Sequence, residues 1–233
     1  MKIEMRNAWV RVMSAIQTSE SMESHVLEPL LAVFAQREDF INLLAKQADD
    51  ERRHSELIKN FLRANFNYIK NKPTFSDRMF YSLLFPALKL VIRKNGIYGL
   101  CALLFYEYFS VGLYCELRDR ARENGLLELE KLISDILKDE GRHIKNISAL
   151  LQIIIKEKTI GKTQIISIAS LLSLISLDVN FSLFALHNRE IRQSLIALNI
   201  RPEIINMRRK NALASVKSLL CERSPVAYAA RTT

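Results

Sequence analysis

One pattern, written twice inside helical apolar stripes, constrains this chain more than any other feature. Residues 49–54 read DDERRH and residues 139–143 read DEGRH. Each contains Glu-x-x-His, and residues three apart share one face of a helix. Glu51 and His54 therefore point the same way, as do Glu140 and His143. The stripe through the first copy runs Leu44, Gln47, Glu51, His54, Ile58, Phe61. The stripe through the second runs Ile133, Ile136, Glu140, His143, Ile147, Leu150. Each Glu/His pair thus lies on a face that otherwise buries. Burying an unpartnered carboxylate costs on the order of several kcal/mol. A pair of divalent metal ions removes that cost.

Helical spacing extends over almost the whole chain. The pattern predicts a first helix over about 7–34, kinked at Pro29. A second covers about 40–66, capped by Asp39. After the loop NKPTFSD, a third covers about 77–93. A fourth covers about 97–123, with Gly125 as a left-handed terminator, and a fifth about 126–157. After the linker KEKTIGK comes an apolar helix over 163–186, and NIRP separates two shorter helices near the C-terminus. No strand pattern competes, and Gly (6) and Pro (5) are too few for a turn-rich β protein. The expected fold is all-α in one domain over 1–233. The four long helices form a bundle over about 7–157, with a C-terminal helical extension over about 160–222.

Two metal ions held within a bundle need a carboxylate from each of the other two long helices. In 97–123 the candidate is Glu107, the one acid between Gly96 and Cys115. In the first helix Glu20 and Glu23 both fit the inward stripe Met13, Ile16, Glu20, Glu23, Leu27, Phe34. Depth favours Glu23. If the hairpin turns around Arg37, Glu23 and Glu51 lie equally far from the turn. Glu20 would then sit roughly 4–5 Å further along, at a rise of about 1.5 Å per residue. His25 and His187 are not preceded by a carboxylate at the Glu-x-x-His spacing.

Three cysteines without a CxxC pair point to a reducing compartment and against a cysteine-held metal. No signal peptide is visible. The longest charge-free apolar run, 163–177, is shorter than the roughly 20 residues a bilayer requires and reads as a buried helix. The expectation is a cytoplasmic chain without a transmembrane segment. The net charge of +9 fits solubility alone or an acidic partner. No base-stacking motif accompanies it, so nucleic acid is not expected.

Glu23, Glu51-x-x-His54, Glu107 and Glu140-x-x-His143 resemble the ligand set of the ferritin-like di-iron carboxylate proteins over roughly 10–155. The resemblance implies a ferritin-like four-helix bundle, with an extra helix between its second and third members and the C-terminal helices packed on it. It implies two iron ions (Fe/Mn or Mn being compatible with the same ligands) and O2 as co-substrate. It also implies that Asp139 bonds His54 and Asp50 bonds His143, fixing each imidazole's tautomer. Ile58 stands where the ribonucleotide reductase small subunit has its radical tyrosine. Ile136 stands where aryl-amine N-oxygenases add a histidine, and rubrerythrins usually carry a cysteine-ligated iron that is missing here. The long insertion between His54 and Glu107 is most similar to the layout of aldehyde-deformylating oxygenases. The expected function is a di-iron oxygenase or oxidase, a monooxygenase acting on a small or medium apolar molecule, free or carrier-tethered. A ferredoxin or reductase would supply electrons, and a homodimer is compatible. The alternatives are a ferroxidase or peroxide-scavenging rubrerythrin-like protein, and an amine N-oxygenase. The resemblance places a substrate pocket beside the fourth helix near Tyr106, Tyr108, Ser110 and Gly112. Gly141, in a helix interior at a cost of about 1 kcal/mol, calls for a close helix contact or room for a ligand.

Overall fold

The computed structural model describes residues 2–69, 85–157, 162–182 and 189–221. These form eight helices and no strand: α1 (Ile3–Val33), α2 (Glu38–Phe66), α3 (Phe85–Lys94), α4 (Gly96–Glu123), α5 (Leu127–Glu157), α6 (Lys162–Ser182), α7 (Arg189–Ala197) and α8 (Pro202–Cys221). The expected all-α class holds. The loop 71–77, the first part of the helix expected from 77, His187 and most of the KEKTIGK linker lie outside the described residues.

Short turns pair the long helices. α1 and α2 form one hairpin and α4 and α5 another, and the hairpins meet through α1 against α4 and α2 against α5. The turns follow from local chemistry. Asn67 at φ 48° ends α2, with Tyr68 N bonded to Leu62 O at 3.2 Å. Gly125 at φ +69° ends α4, as expected of a residue without a Cβ. Asn95 caps α4, its Oδ1 accepting from Ile97 N at 3.2 Å. Asp39 does not cap α2. The cap position is Arg37, and Asp39 lies in the first turn, bonded by the Arg37 guanidinium. An acid there still favours the helix, because the N-terminus carries partial positive charge. Pro29 stands inside α1, which continues through it to Val33.

α4 is apolar nearly all round because α1, α3, α5, α6 and α8 all pack on it. Its start lies close against the end of α1. A Cβ on Gly96 would come within 2.6 Å of the Phe34 ring, and one on Gly99 within 2.7 Å of Leu30 Cδ2. Among the described residues α4 is the one helix long and apolar enough to cross a membrane, and 72% of its apolar window is buried inside the protein. The run expected to be a buried helix, 163–177, is packed on one side only where its side chains are described. Ile168 and Leu172 are buried, whereas Ile166, Ser167, Ser170 and Ser173 are exposed. The serines account for the difference: Ser170 and Ser173 donate to the carbonyls of Ile166 and Ala169, four residues back on the outer face.

Candidate metal centre

Where the two hairpins meet, the bundle buries five carboxylates and two imidazoles: Glu20, Glu23, Glu51, His54, Glu107, Glu140 and His143. They fall into two overlapping groups, Glu20, Glu51, His54, Glu140 and Glu51, Glu107, Glu140, His143. In each group one possible ligand atom from every residue lies within 4.8 Å of the others. Glu51 and Glu140 belong to both. Both histidines turn Nδ1 inward. His54 Nδ1 is 3.2 Å from Glu20 Oε2, 3.4 Å from Glu140 Oε1 and 3.7 Å from Glu51 Oε2. His143 Nδ1 is 3.1 Å from Glu51 Oε1 and 3.4 Å from Glu107 Oε1.

The outward nitrogens are crossed between the two copies of the motif. His54 Nε2 lies 3.2 Å from Asp139 Oδ2, and His143 Nε2 lies 3.3 Å from Asp50 Oδ2. These are the crossed contacts that the resemblance implies. The arginine common to both copies also has a place. Arg53 and Arg142 each pair with both Asp50 and Asp139, Arg142 at 2.7 and 2.6 Å. Burial opposes ionisation of these aspartates, but the two arginines and the facing histidine outweigh it and hold both below the usual carboxylate range. Each ionised aspartate thus accepts the Nε2 proton and leaves Nδ1 as the free donor atom. Asp50→Asn and Asp139→Asn are expected to keep the helical fold and weaken metal binding by roughly 10–100-fold each. Titration with Mn2+ or Fe2+ against a competing chelator measures this, and wild-type affinity in both variants would contradict the orienting role.

The turn bears on the choice between Glu20 and Glu23 in the first helix. The preference for Glu23 assumed a hairpin centred on Arg37. The turn is Phe34–Arg37, so its centre lies between Ala35 and Gln36, and Glu20 and Glu51 are equidistant from it. Glu20 accordingly joins the His54 group, and Glu23 joins neither group. Glu23 remains buried beside them, with Oε1 lacking a hydrogen-bond partner.

Crowding shows in the proton affinities. Burial, reinforced by Glu51, Glu140 and Glu20, holds Glu23 well above the usual carboxylate range. Burial, with Glu140, Glu23 and Glu51, does the same to Glu107. Glu51 is pushed up to about 7 by burial and by Glu140 and Glu20. Burial works against a charged His54, but the carboxylates of Glu140, Glu20 and Glu51 around Nδ1 outweigh it and raise its affinity for a proton. Burial also acts to raise Glu20, but the contacts with His54, Glu51 and Tyr114 bring it below the ordinary value.

These residues fit a pair of divalent ions. Glu107 Oε2 is buried without a hydrogen-bond partner, and Glu51 Oε1 and Glu140 Oε1 face imidazole nitrogens, Nδ1 of His143 at 3.1 Å and Nδ1 of His54 at 3.4 Å, in contacts that do not meet hydrogen-bond geometry. Such atoms are costly unless something positive meets them. The donors are oxygen and imidazole nitrogen with no sulfur, a set suited to iron, manganese or zinc.

Two polar residues at the centre had no role assigned from sequence. Tyr114 donates its hydroxyl to Glu20 Oε1, and Gln47 donates its amide to Glu107 Oε1. Their spacing held the signal. Gln47 is one turn before Glu51, and Tyr114 is two turns after Glu107 on the same face of α4. Gly112 is the reverse case. It lies on the far side of α4, where a Cβ would meet Arg208 Cδ at 2.8 Å. Its small size lets α8 approach, and Arg208 reaches on to Glu116 at 2.7 Å. Gly112 is thus covered by α8. Tyr106, Tyr108 and Ser110 are half-buried on α4. Gly141 is exposed, and a Cβ there would meet nothing within 4 Å. No close helix contact explains it. Gly141→Ala is expected to raise stability by about 0.5–1 kcal/mol, read from the midpoint of urea unfolding.

No family model matches this chain, and no curated protein or solved structure matches it.

Proposed function

We propose that this centre holds two iron ions, and that the protein is a ferritin-like, non-heme di-iron oxygenase or oxidase acting on a small or medium apolar organic molecule. The observation that carries the reading is the sharing of Glu51 and Glu140 by two four-residue groups, each completed by its own histidine and its own glutamate. Glu20 and His54 would complete one ion's ligands, and Glu107 and His143 the other's. Bound ferrous iron supplies the electrons that reduce O2. The chain's part is orientation and exclusion of water. Asp139 and Asp50 fix the imidazoles, the arginine pair holds both aspartates ionised, and the packed stripes of α2 and α5 keep the site dry. The substrate would lie beside α4 near Tyr106, Tyr108 and Ser110.

One observation favours a second reading, iron oxidation without an organic substrate. The side of α4 at Gly112 is covered by Arg208 of α8. O2 uptake separates the two readings. Protein loaded with Fe2+ under anaerobic conditions should consume O2, and Glu140→Ala should not. With a reductant and a panel of apolar substrates, an oxygenase turns over repeatedly and yields an oxygenated product identifiable by mass spectrometry. A ferroxidase yields none, and its O2 uptake follows added Fe2+ alone.

A further inference from the structure

The two carboxylates that belong to one group only are each tied on one oxygen by a buried neutral donor. Glu20 Oε1 accepts from the Tyr114 hydroxyl, while its Oε2 faces His54 Nδ1 at 3.2 Å. Glu107 Oε1 accepts from the Gln47 amide and also lies 3.4 Å from His143 Nδ1, while its Oε2 has no hydrogen-bond partner. The two shared carboxylates differ, for their Oε1 atoms face imidazole nitrogens instead, Glu51's the Nδ1 of His143 at 3.1 Å and Glu140's the Nδ1 of His54 at 3.4 Å. The donors reach across helices in both cases: Tyr114 on α4 serves Glu20 on α1, and Gln47 on α2 serves Glu107 on α4. Both are almost wholly buried. Neither bond is required by helix geometry, and a tyrosine hydroxyl at this depth needs an acceptor.

We propose that Tyr114 and Gln47 are positioning residues that restrict Glu20 and Glu107 to ligation through a single oxygen, so that each ion keeps an open coordination position. The inference rests on the two-metal reading above. A carboxylate binds a metal through one oxygen or two. In a dry interior, an oxygen already accepting a hydrogen bond is held in direction, and its release would leave the donor unpaired at a cost. Chelation is thereby disfavoured at the two carboxylates with freedom to chelate, because Glu51 and Glu140 are shared between the ions. An ion with one histidine, one singly bound carboxylate and two shared ones retains room for a small exogenous ligand. Reactive metal sites need such a position, whereas structural ones close it.

The probe is Co2+, whose visible absorption weakens stepwise as the coordination number rises from four to five to six. Wild-type protein is expected to bind two Co2+ with the strong absorption of four-coordinate sites and to change its spectrum on adding azide. In Tyr114→Phe, which removes one oxygen, both ions should remain. The absorption of one should weaken, as its protein donors rise from four to five, and the azide response should shrink. Gln47→Met carries the same test to the other ion, and decides the matter if Tyr114→Phe does not fold. A generally supporting role predicts a different result, roughly 10–100-fold weaker Co2+ binding with spectrum and azide response unchanged. That outcome would overturn the proposal and leave the two-metal reading standing. Wild-type protein that binds fewer than two Co2+ would overturn both.

Discussion

Protein isolated from iron-replete cells, or refilled anaerobically with Fe2+, will carry two metal ions per chain, and the double variant Glu51→Ala/Glu140→Ala will carry none. The size of the effect follows from sharing. Glu51 and Glu140 are members of both ligand groups, so removing them takes two donors from each ion at once. The fold should survive, since the substitutions also remove two mutually repelling buried carboxylates. The first helix offers a finer contrast. Glu20→Ala should lose the ion on the His54 side and keep the other, while Glu23→Ala should keep both. Elemental analysis of each variant, with circular dichroism to confirm helical content, gives the answer. Zero or one ion in the wild type, with the helices intact, would remove the basis of the functional reading.

Chelator-treated protein is expected to lose stability as pH rises from about 5 to 8, the reverse of ordinary acid denaturation. Glu51 titrates at about 7 in the folded chain against 4.5 as its ordinary value. Between those values the folded state holds a proton that the unfolded state has released, so stability falls with rising pH and levels off above 7. For Glu51 alone the loss is about 3 kcal/mol. Glu23 and Glu107 are shifted in the same direction by burial and by the carboxylates of Glu51 and Glu140. His54 and His143, both raised, also keep protons above the ordinary histidine range and add to the decline. Glu20, Asp50 and Asp139 are lowered, so their contribution disappears only under more acid conditions. Metal binding displaces the protons, so the stabilisation conferred by Mn2+ should grow over the same interval. Thermal unfolding with EDTA and with Mn2+ at pH 5.5 and 8 measures both trends. The Glu51 contribution alone amounts to a decrease of roughly 6–12 °C in the metal-free Tm. A metal-free Tm that stays flat or rises would show that the carboxylates are not held together as described.

Legibility in the sequence divides along a physical line. Properties of a single helix could be read directly. The 3.6-residue stripes located α1, α2, α4 and α5 to within a few residues, and Glu-x-x-His placed each pair inward. Gly125 marked the end of α4 through its own backbone preference. Properties that depend on how two helices meet could not be read in this way. Glu20 and Glu23 are equally inward, and the choice between them depended on the centre of a four-residue turn. Gly112 was open to reading as pocket lining because its neighbour, Arg208, is far away in the chain. Tyr114 and Gln47 were polar residues in apolar seams. Such residues gain a role only when the facing helix supplies an acceptor, and no spacing rule gives the identity of that helix.

The crossing of Asp50 to His143 and Asp139 to His54 bears on how the centre is assembled. Neither hairpin holds a complete half-site. The first contributes Glu20, Glu51 and His54 but lacks the aspartate that orients its histidine, and the second is incomplete in the reciprocal way. A nascent chain that has emerged only through α2 therefore has little means of retaining an ion. On the two-metal reading, both ions would become bindable together once α5 has docked, and each would then join the two hairpins across their interface. Metal capture would be a late step in folding, and chelation should loosen the contact between hairpins before it unwinds either one. Hydrogen exchange in EDTA should accordingly accelerate first at the residues of α2 and α5 that face each other.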